Sequence, residues 1–332
     1  VQAELENAIP NISMKYDPEI TDDDFALACV KCALKTAKPS FANHRMFKNE
    51  LGENYVIASC YNGLLLGGGA YTLCRLILGH IAERSAGIED FKNNQLPYVM
   101  DVMAKYMDAR IAFEVEQSGF FESNFLAKEG LIHRDRFTGM FGLVGLADAV
   151  NVLMTKEGKD DRFGHSDAAT QLGIEIMDII NEFNNNHFNK YCEGTGSHFL
   201  LHAQVGIAED KGIAPGTRIP IGEEPEELVD HLNVISNFHK YFVSGTGDIF
   251  PVDLTVHKNP EYVLDIIKGS WQKDIRYLSF YSSDSDVIRI TGYLVKRSEI
   301  EKYEQGNAVL QNTTQLGTGA KKNGRILERK VR

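Results

Sequence analysis

Apolar residues recur along this chain at two spacings, and the alternation between them is the first thing it discloses. Thr21 with Asp24 three residues on forms a capping box, and Phe25, Ala28 and Cys32 then fall on one helical face. From Pro97, Met100, Met103, Met107 and Ile111 repeat at helical spacing, as do Leu172, Ile176, Ile179 and Phe183 after Asp167. Asn259 followed by Pro260 predicts another helix start. Tyr55 to Cys60, Arg276 to Tyr281 and Val287 to Thr291 are short runs of β-branched and aromatic residues and predict strands. Helix and strand signals alternate without an internal repeat or a linker, so the expected class is α/β, a parallel or mixed sheet covered by helices. The final 27 residues, from Gly306, hold six basic residues and one acidic one, and are expected to be a loose or partly docked tail.

Composition narrows the picture. With 332 residues, 43% of them hydrophobic, the chain can fill a large core as one unit or two. The balance of 35 basic against 46 acidic residues, net −11, argues against coating nucleic acid or an anionic membrane, which both require basic surface. No apolar stretch approaches the roughly 18 to 20 residues of a membrane span, and the first residues have no signal-peptide character. A cytoplasmic protein is expected. The chain starts at Val1 without an initiator Met, which suggests a fragment.

Five scattered cysteines, Cys29, Cys32, Cys60, Cys74 and Cys192, read as reduced thiols. Cys29 and Cys32 form a CxxC inside a predicted helix, where a core role fits better than redox or zinc chemistry. His198 and His202 have helical metal-pair spacing, yet Phe199 to Val205 reads equally well as strand and no metal site is assigned. Glycine is enriched, 29 of 332 residues. Gly67 to Gly69 lacks the frame of a phosphate loop and suits a sharp turn or a close backbone approach. Gly194-Thr-Gly196 and Gly245-Thr-Gly247 read as turns at strand ends that can also line a pocket. Gly292 interrupts the apolar run Val287 to Val295, where a glycine calls for a reason.

The segments around Cys60 and Gly292 together resemble the two halves of a glycyl radical enzyme. Arg289-Ile-Thr-Gly-Tyr293 matches that family's C-terminal Arg-Val-x-Gly-Tyr motif with one conservative change. Tyr55 to Cys60 resembles its finger loop, above all in anaerobic ribonucleotide reductases, as do Gly67 to Leu76 and Glu193-Gly-Thr195. Over essentially the whole chain the likeness is to the YjjI-type glycyl radical family. It implies an α/β barrel with a central finger loop, lacking part of its N-terminal half, with a barrel catalytic domain at residues 1–270 and a C-terminal glycine radical domain at 271–332 packed into the same unit. Gly292 would store the radical and Cys60 would form the thiyl that abstracts hydrogen from a small substrate. Only glycine lets an α-carbon radical flatten between its amides without a clashing Cβ, and hydrogen transfer requires contact at roughly 3–4 Å.

Expected substrate contacts are Asn62, Glu193, His165, Ser244 and Asp248, with no metal and no bound cofactor. The resemblance implies a separate radical S-adenosylmethionine activating enzyme with an iron–sulfur cluster as partner, and a homodimer is possible. Several departures bear on the reaction. Cys60 is followed by Tyr61, not by the second cysteine of pyruvate formate-lyase-like enzymes, and Asn62 stands where the eliminating branch has a glutamate base. No cysteine follows Cys192, so the C-terminal zinc site of anaerobic ribonucleotide reductases is missing. The reaction, lyase or reductase, stays unassigned. The alternatives are a nucleotide reductase of the anaerobic type and a non-catalytic truncated or spare-part glycyl radical protein.

Overall fold

A four-stranded sheet, a three-stranded parallel sheet and two hairpins account for the strands among the described residues. The structure, a computed structural model, describes residues 11–58, 61–203, 213–290, 293–309 and 328–332. β1 (Ser13–Tyr16) and β2 (Ser40–Asn43) are parallel and joined by the helix Asp23–Thr36. β3 (Tyr55–Ala58) and β4 (Asn62–Leu65) form an antiparallel hairpin, and β5 (Gly69–Ile77), β6 (Phe137–Val144) and β7 (Leu200–Ala203) form a parallel sheet in that order. β8 (Asp248–Val252) and β9 (Tyr277–Ser282) are parallel across the helix Glu261–Trp271, and β9 meets β2 antiparallel to give the order β1-β2-β9-β8. β10 (Val287–Arg289) and β11 (Leu294–Lys296) make the second hairpin. Among the described residues no strand pairing joins the four-stranded sheet to the three-stranded one.

β6 is buried at every position, as expected of the middle strand of a parallel sheet covered on both faces. Helices Leu96–Glu116, Leu146–Lys156 and Asp167–Asn186 enclose that sheet, burying Met100, Met103, Met107 and Ile111 from the first and Leu172, Ile176 and Ile180 from the last. The Ser166 side chain accepts from Ala169 N at 3.1 Å and starts that last helix. A second apolar cluster lies between the four-stranded sheet and helices Asp23–Thr36 and Glu261–Trp271. Two smaller clusters form around the hairpins, one with Phe47, Tyr55, Tyr61 and Tyr277, the other with Ile288, Ile290, Leu294 and Val295.

Local details differ from expectation in three places, and the basic tail is partly docked as expected. Asp22, not Thr21, caps the first helix, its carboxylate accepting from Phe25 N at 2.9 Å, because the Thr21 hydroxyl already accepts from Asp17 N. That helix buries Ala26, Val30, Ala33 and Leu34, so Phe25 is exposed and Cys29 and Cys32 lie at the edge of the buried face. Pro260 rather than Asn259 holds the cap position of the helix Glu261–Trp271, with no side-chain capping bond. The end of the basic tail is docked, since Arg332 N donates to Pro251 O at 2.9 Å and Asp253 N to Arg332 O at 2.7 Å.

Candidate functional site

Cys60 and Gly292 lie outside the described residues, as does Ser59 between β3 and Cys60. Their hairpins are described on both sides. In the first, Ala58 pairs with Asn62, so the finger connection spans residues 59–61. In the second, Arg289 pairs with Leu294 and Ile290 N donates to Tyr293 O at 3.1 Å.

The first hairpin is braced on the Gly245 turn. Gly63 N donates to Ser244 O at 3.0 Å. A Cβ on Gly245 would stand 2.0 Å from Tyr61 O, and the residue has φ +119°, so only glycine admits this approach of the two backbones. Tyr61 is buried, donates to Ala203 O at 2.9 Å, and packs its ring on those of His202 and Tyr277, with centroids 6.0 and 5.9 Å away. His202 is 4% exposed and its Nδ1 has no hydrogen-bond partner. Burial lowers its pKa from 6.5 to about 4, against a smaller opposing pull from the Ser244 backbone. It is therefore neutral at pH 7.

Arg218 faces Tyr61 and a small cavity beside the second hairpin. Its guanidinium lies 5.8 Å from the Tyr61 ring centroid, its Nε donates to Gly247 O at 2.5 Å, and it lines a small cavity with Asp248, His231, Ile290 and Arg329. At about 30 Å³ that cavity has room for a water molecule or two. Asp248 is locked beside it. Arg276 N donates to His239 Nδ1 at 2.9 Å, which leaves the ring proton on Nε2 to donate to Asp248 Oδ2 at 3.0 Å. Burial alone would push the Asp248 pKa up, but His231, His239 and the Arg218 charge hold it well below the usual carboxylate range. It is a fixed anion.

The expected substrate contacts divide. Asn62, Ser244 and Asp248 gather around the hairpins: Asn62 Oδ1 is buried without a partner, and the Ser244 hydroxyl donates to Leu201 O at 2.8 Å. Glu193 is exposed, beside the far end of β4, where a Cβ on Gly194 would meet the Leu65 side chain. His165 is exposed and bonds Glu223 O at 2.5 Å beside the Arg162–Glu223 ion pair. Cys192 is buried, its Sγ accepting from Gly139 N at 3.4 Å, and burial raises its pKa. Among the described residues no group of three or more His, Cys, Asp or Glu side chains is arranged to hold a metal ion, and no helix is long and apolar enough to cross a membrane.

Sequence reasoning missed Tyr61, His202, Arg218 and Arg329 as members of this region. His202 was weighed only for metal binding. The other signal was adjacency: Tyr61 follows the finger cysteine directly.

This arrangement of sheets and hairpins is that of the glycyl radical enzymes. A glycyl radical enzyme from Archaeoglobus fulgidus superposes with a TM-score of 0.73 at 12% identity, over 99% of this chain and 53% of its own. The glycerol-bound B12-independent glycerol dehydratase from Clostridium butyricum gives 0.69 at 12% identity, over 98% and 53%. An anaerobic ribonucleotide reductase gives 0.66 at 15% identity, over 88% and 52%. The sequence model of the family described as "Glycyl radical enzyme YjjI-like" matches residues 1–332, so the chain belongs to that family. A Haemophilus influenzae protein described as uncharacterized is 46% identical over 332 residues, and the uncharacterized protein YjjI of Escherichia coli is 42% identical over 331. The chain spans 64% and 63% of the length of these two relatives.

Proposed function

We propose that this chain carries the radical chemistry of an oxygen-sensitive glycyl radical enzyme, with Gly292 storing the radical and Cys60 acting on substrate. A separate S-adenosylmethionine and iron–sulfur activating protein removes one hydrogen atom from the Gly292 α-carbon. The glycyl radical then takes the hydrogen atom of the Cys60 S–H, restoring the glycine and leaving a thiyl. The thiyl takes a hydrogen atom from a substrate C–H, and the reverse transfers close the cycle. Activation takes one hydrogen atom from the chain to the activating protein; after that each transfer moves one hydrogen atom, and over the catalytic cycle the chain gains and loses none.

The observation that carries this reading is the match of the whole chain to the family, with Cys60 lying in sequence between β3 and β4 and Gly292 between β10 and β11. Support comes from the surroundings. Tyr61 is clamped by its hydroxyl bond and two ring contacts, the Gly245 turn admits no Cβ, and Arg218 lies against both hairpins' surroundings. Such fixed placement is what hydrogen transfer over roughly 3–4 Å requires. The substrate is a small molecule. Asn62 Oδ1 and His202 Nδ1 are buried acceptors left for it or for water.

The test is anaerobic activation by the cognate activating protein, followed by electron paramagnetic resonance. A glycyl doublet is expected in the unaltered protein and in Cys60→Ala, and none in Gly292→Ala; turnover is expected in the unaltered protein alone. A doublet that persists in Gly292→Ala would overturn the assignment. A doublet without hydrogen abstraction from any substrate would favour a spare-part role. Likeness to an anaerobic ribonucleotide reductase makes a nucleotide substrate the second reading, and calorimetric titration with ribonucleotides decides it.

A further inference from the structure

The radical hairpin is held from outside its own sequence. β10 and β11 are buried along their length except at Lys296, and Ile290 is fully covered. Their last two carbonyls before residue 291 are both taken by Arg329: its Nη1 donates to Arg289 O at 2.9 Å and to Tyr281 Oη at 3.2 Å, and its Nη2 donates to Ile290 O at 3.0 Å. Arg329 as a residue is 9% exposed. Its planar fork matches two successive carbonyls in a way an ammonium does not.

Residues 328–332 are fastened on the other side of this contact. Arg332 pairs its backbone with Pro251 and Asp253, its Nη1 donates to Pro225 O at 2.7 Å and Glu226 O at 2.9 Å, and its Nη2 donates to His231 Nδ1 at 2.9 Å. Lys330 pairs with Glu226. Arg329 is thus the buried contact of a strap whose C-terminal side is anchored to the four-stranded sheet and to residues 225–231.

We infer that Arg329 is a positioning residue: the strap formed by residues 328–332 clamps the β10–β11 hairpin inside the fold, and its release governs how readily residue 292 is presented to an activating partner. The inference rests on the proposed function for its consequence, although the clamp itself does not. Hydrogen transfer needs contact. An agent on another protein reaches the connection between the buried strands β10 and β11 only when that hairpin moves out, and moving it breaks the two bonds from Arg329 to Arg289 O and Ile290 O.

The test uses the protein as expressed from its gene. In the unactivated protein, amide hydrogen exchange of the peptide covering residues 287–296 is expected to quicken about tenfold or more in Arg329→Ala and less in Arg329→Lys, with β5 and β6 unchanged. Arg332→Ala, which weakens the anchor and leaves Arg329 in place, is expected to shift the same peptide in the same direction and serves if Arg329→Ala does not fold. Under activation the same variants should form the glycyl doublet faster and lose it faster in air. Unchanged exchange at 287–296 in folded Arg329→Ala or Arg332→Ala overturns the strap. If exchange quickens and the unaltered protein yields no doublet, the strap stands and the radical assignment fails. If exchange quickens and the doublet forms at an unaltered rate, the clamp does not govern presentation and the inference is overturned.

Discussion

The two hairpins are held in opposite ways. β3–β4 is only half buried, yet it rests on backbone: the Gly245 turn touches Tyr61 O so closely that no side chain fits, and Tyr61 is pinned to Ala203 O. β10–β11 is almost wholly buried, yet its end is held by arginine side chains, Arg329 on Arg289 O and Ile290 O, and Arg289 itself on Ala37 O at 3.0 Å. Backbone contact cannot let go without rearranging the sheet. Side-chain contact can, because a guanidinium that leaves a carbonyl finds water. The difference matches the work proposed for each hairpin: a cysteine that must stay aimed, and a glycine that must be reached.

Four measurements would break or sharpen that contrast. Gly245→Ala should cost the most, about 3 to 5 kcal/mol in denaturant unfolding, from the backbone clash and the positive φ together. Gly130→Ala is its control, since φ there is +69° with nothing within 4 Å of a Cβ, and about 1 to 2 kcal/mol is expected. If the two cost the same, the finger is not braced at Gly245. Ile288→Ala in the buried hairpin should cost about 2 to 4 kcal/mol as an ordinary cavity.

Acid should act on the finger side through His202. Its folded pKa, about 4, is lower than the unfolded 6.5, so the stability it contributes is complete above pH 6.5 and lost as pH falls toward 4. The loss approaches about 3 kcal/mol at pH 4, and His202→Asn should flatten that part of the stability profile. A profile unchanged by the substitution would mean that the ring is not buried beside Tyr61. The smallest effect belongs to Tyr61→Phe, about 1 kcal/mol for the bond to Ala203 O; a larger loss would show that the hydroxyl aligns the hairpin as well as tethering it.

Much of the scaffold is legible along the chain. The helices beginning near Pro97 and Asp167 run from Leu96 and Asp167 as their apolar spacing predicts, Arg276 to Tyr281 covers all of β9 but its last residue, and Val287 to Thr291 contains β10. Gly68 is a close approach, a Cβ there falling 2.1 Å from Arg136 O. Other features escape because their cause is remote in sequence. The stripe of Phe25, Ala28 and Cys32 misleads since the helix turns its small residues, Ala26, Val30 and Ala33, toward β9 and the helix Glu261–Trp271. His165, expected as a substrate contact, is exposed and bonds Glu223 O, a neighbour remote in sequence. Arg329 was one cation in a basic tail.

Sequence alone therefore determined the elements, the family and the two residues on which the chemistry is proposed to rest, because periodicity and short motifs are local properties. Tertiary structure decided which glycine is indispensable, which histidine is kept neutral and which arginine is buried. Each of those depends on atoms brought together from distant segments: Tyr61 O against Gly245, the Tyr61 ring over His202, and two hairpin carbonyls that accept from Arg329. A cation in a tail becomes a structural residue only when the fold offers it acceptors that would otherwise be buried unpaired.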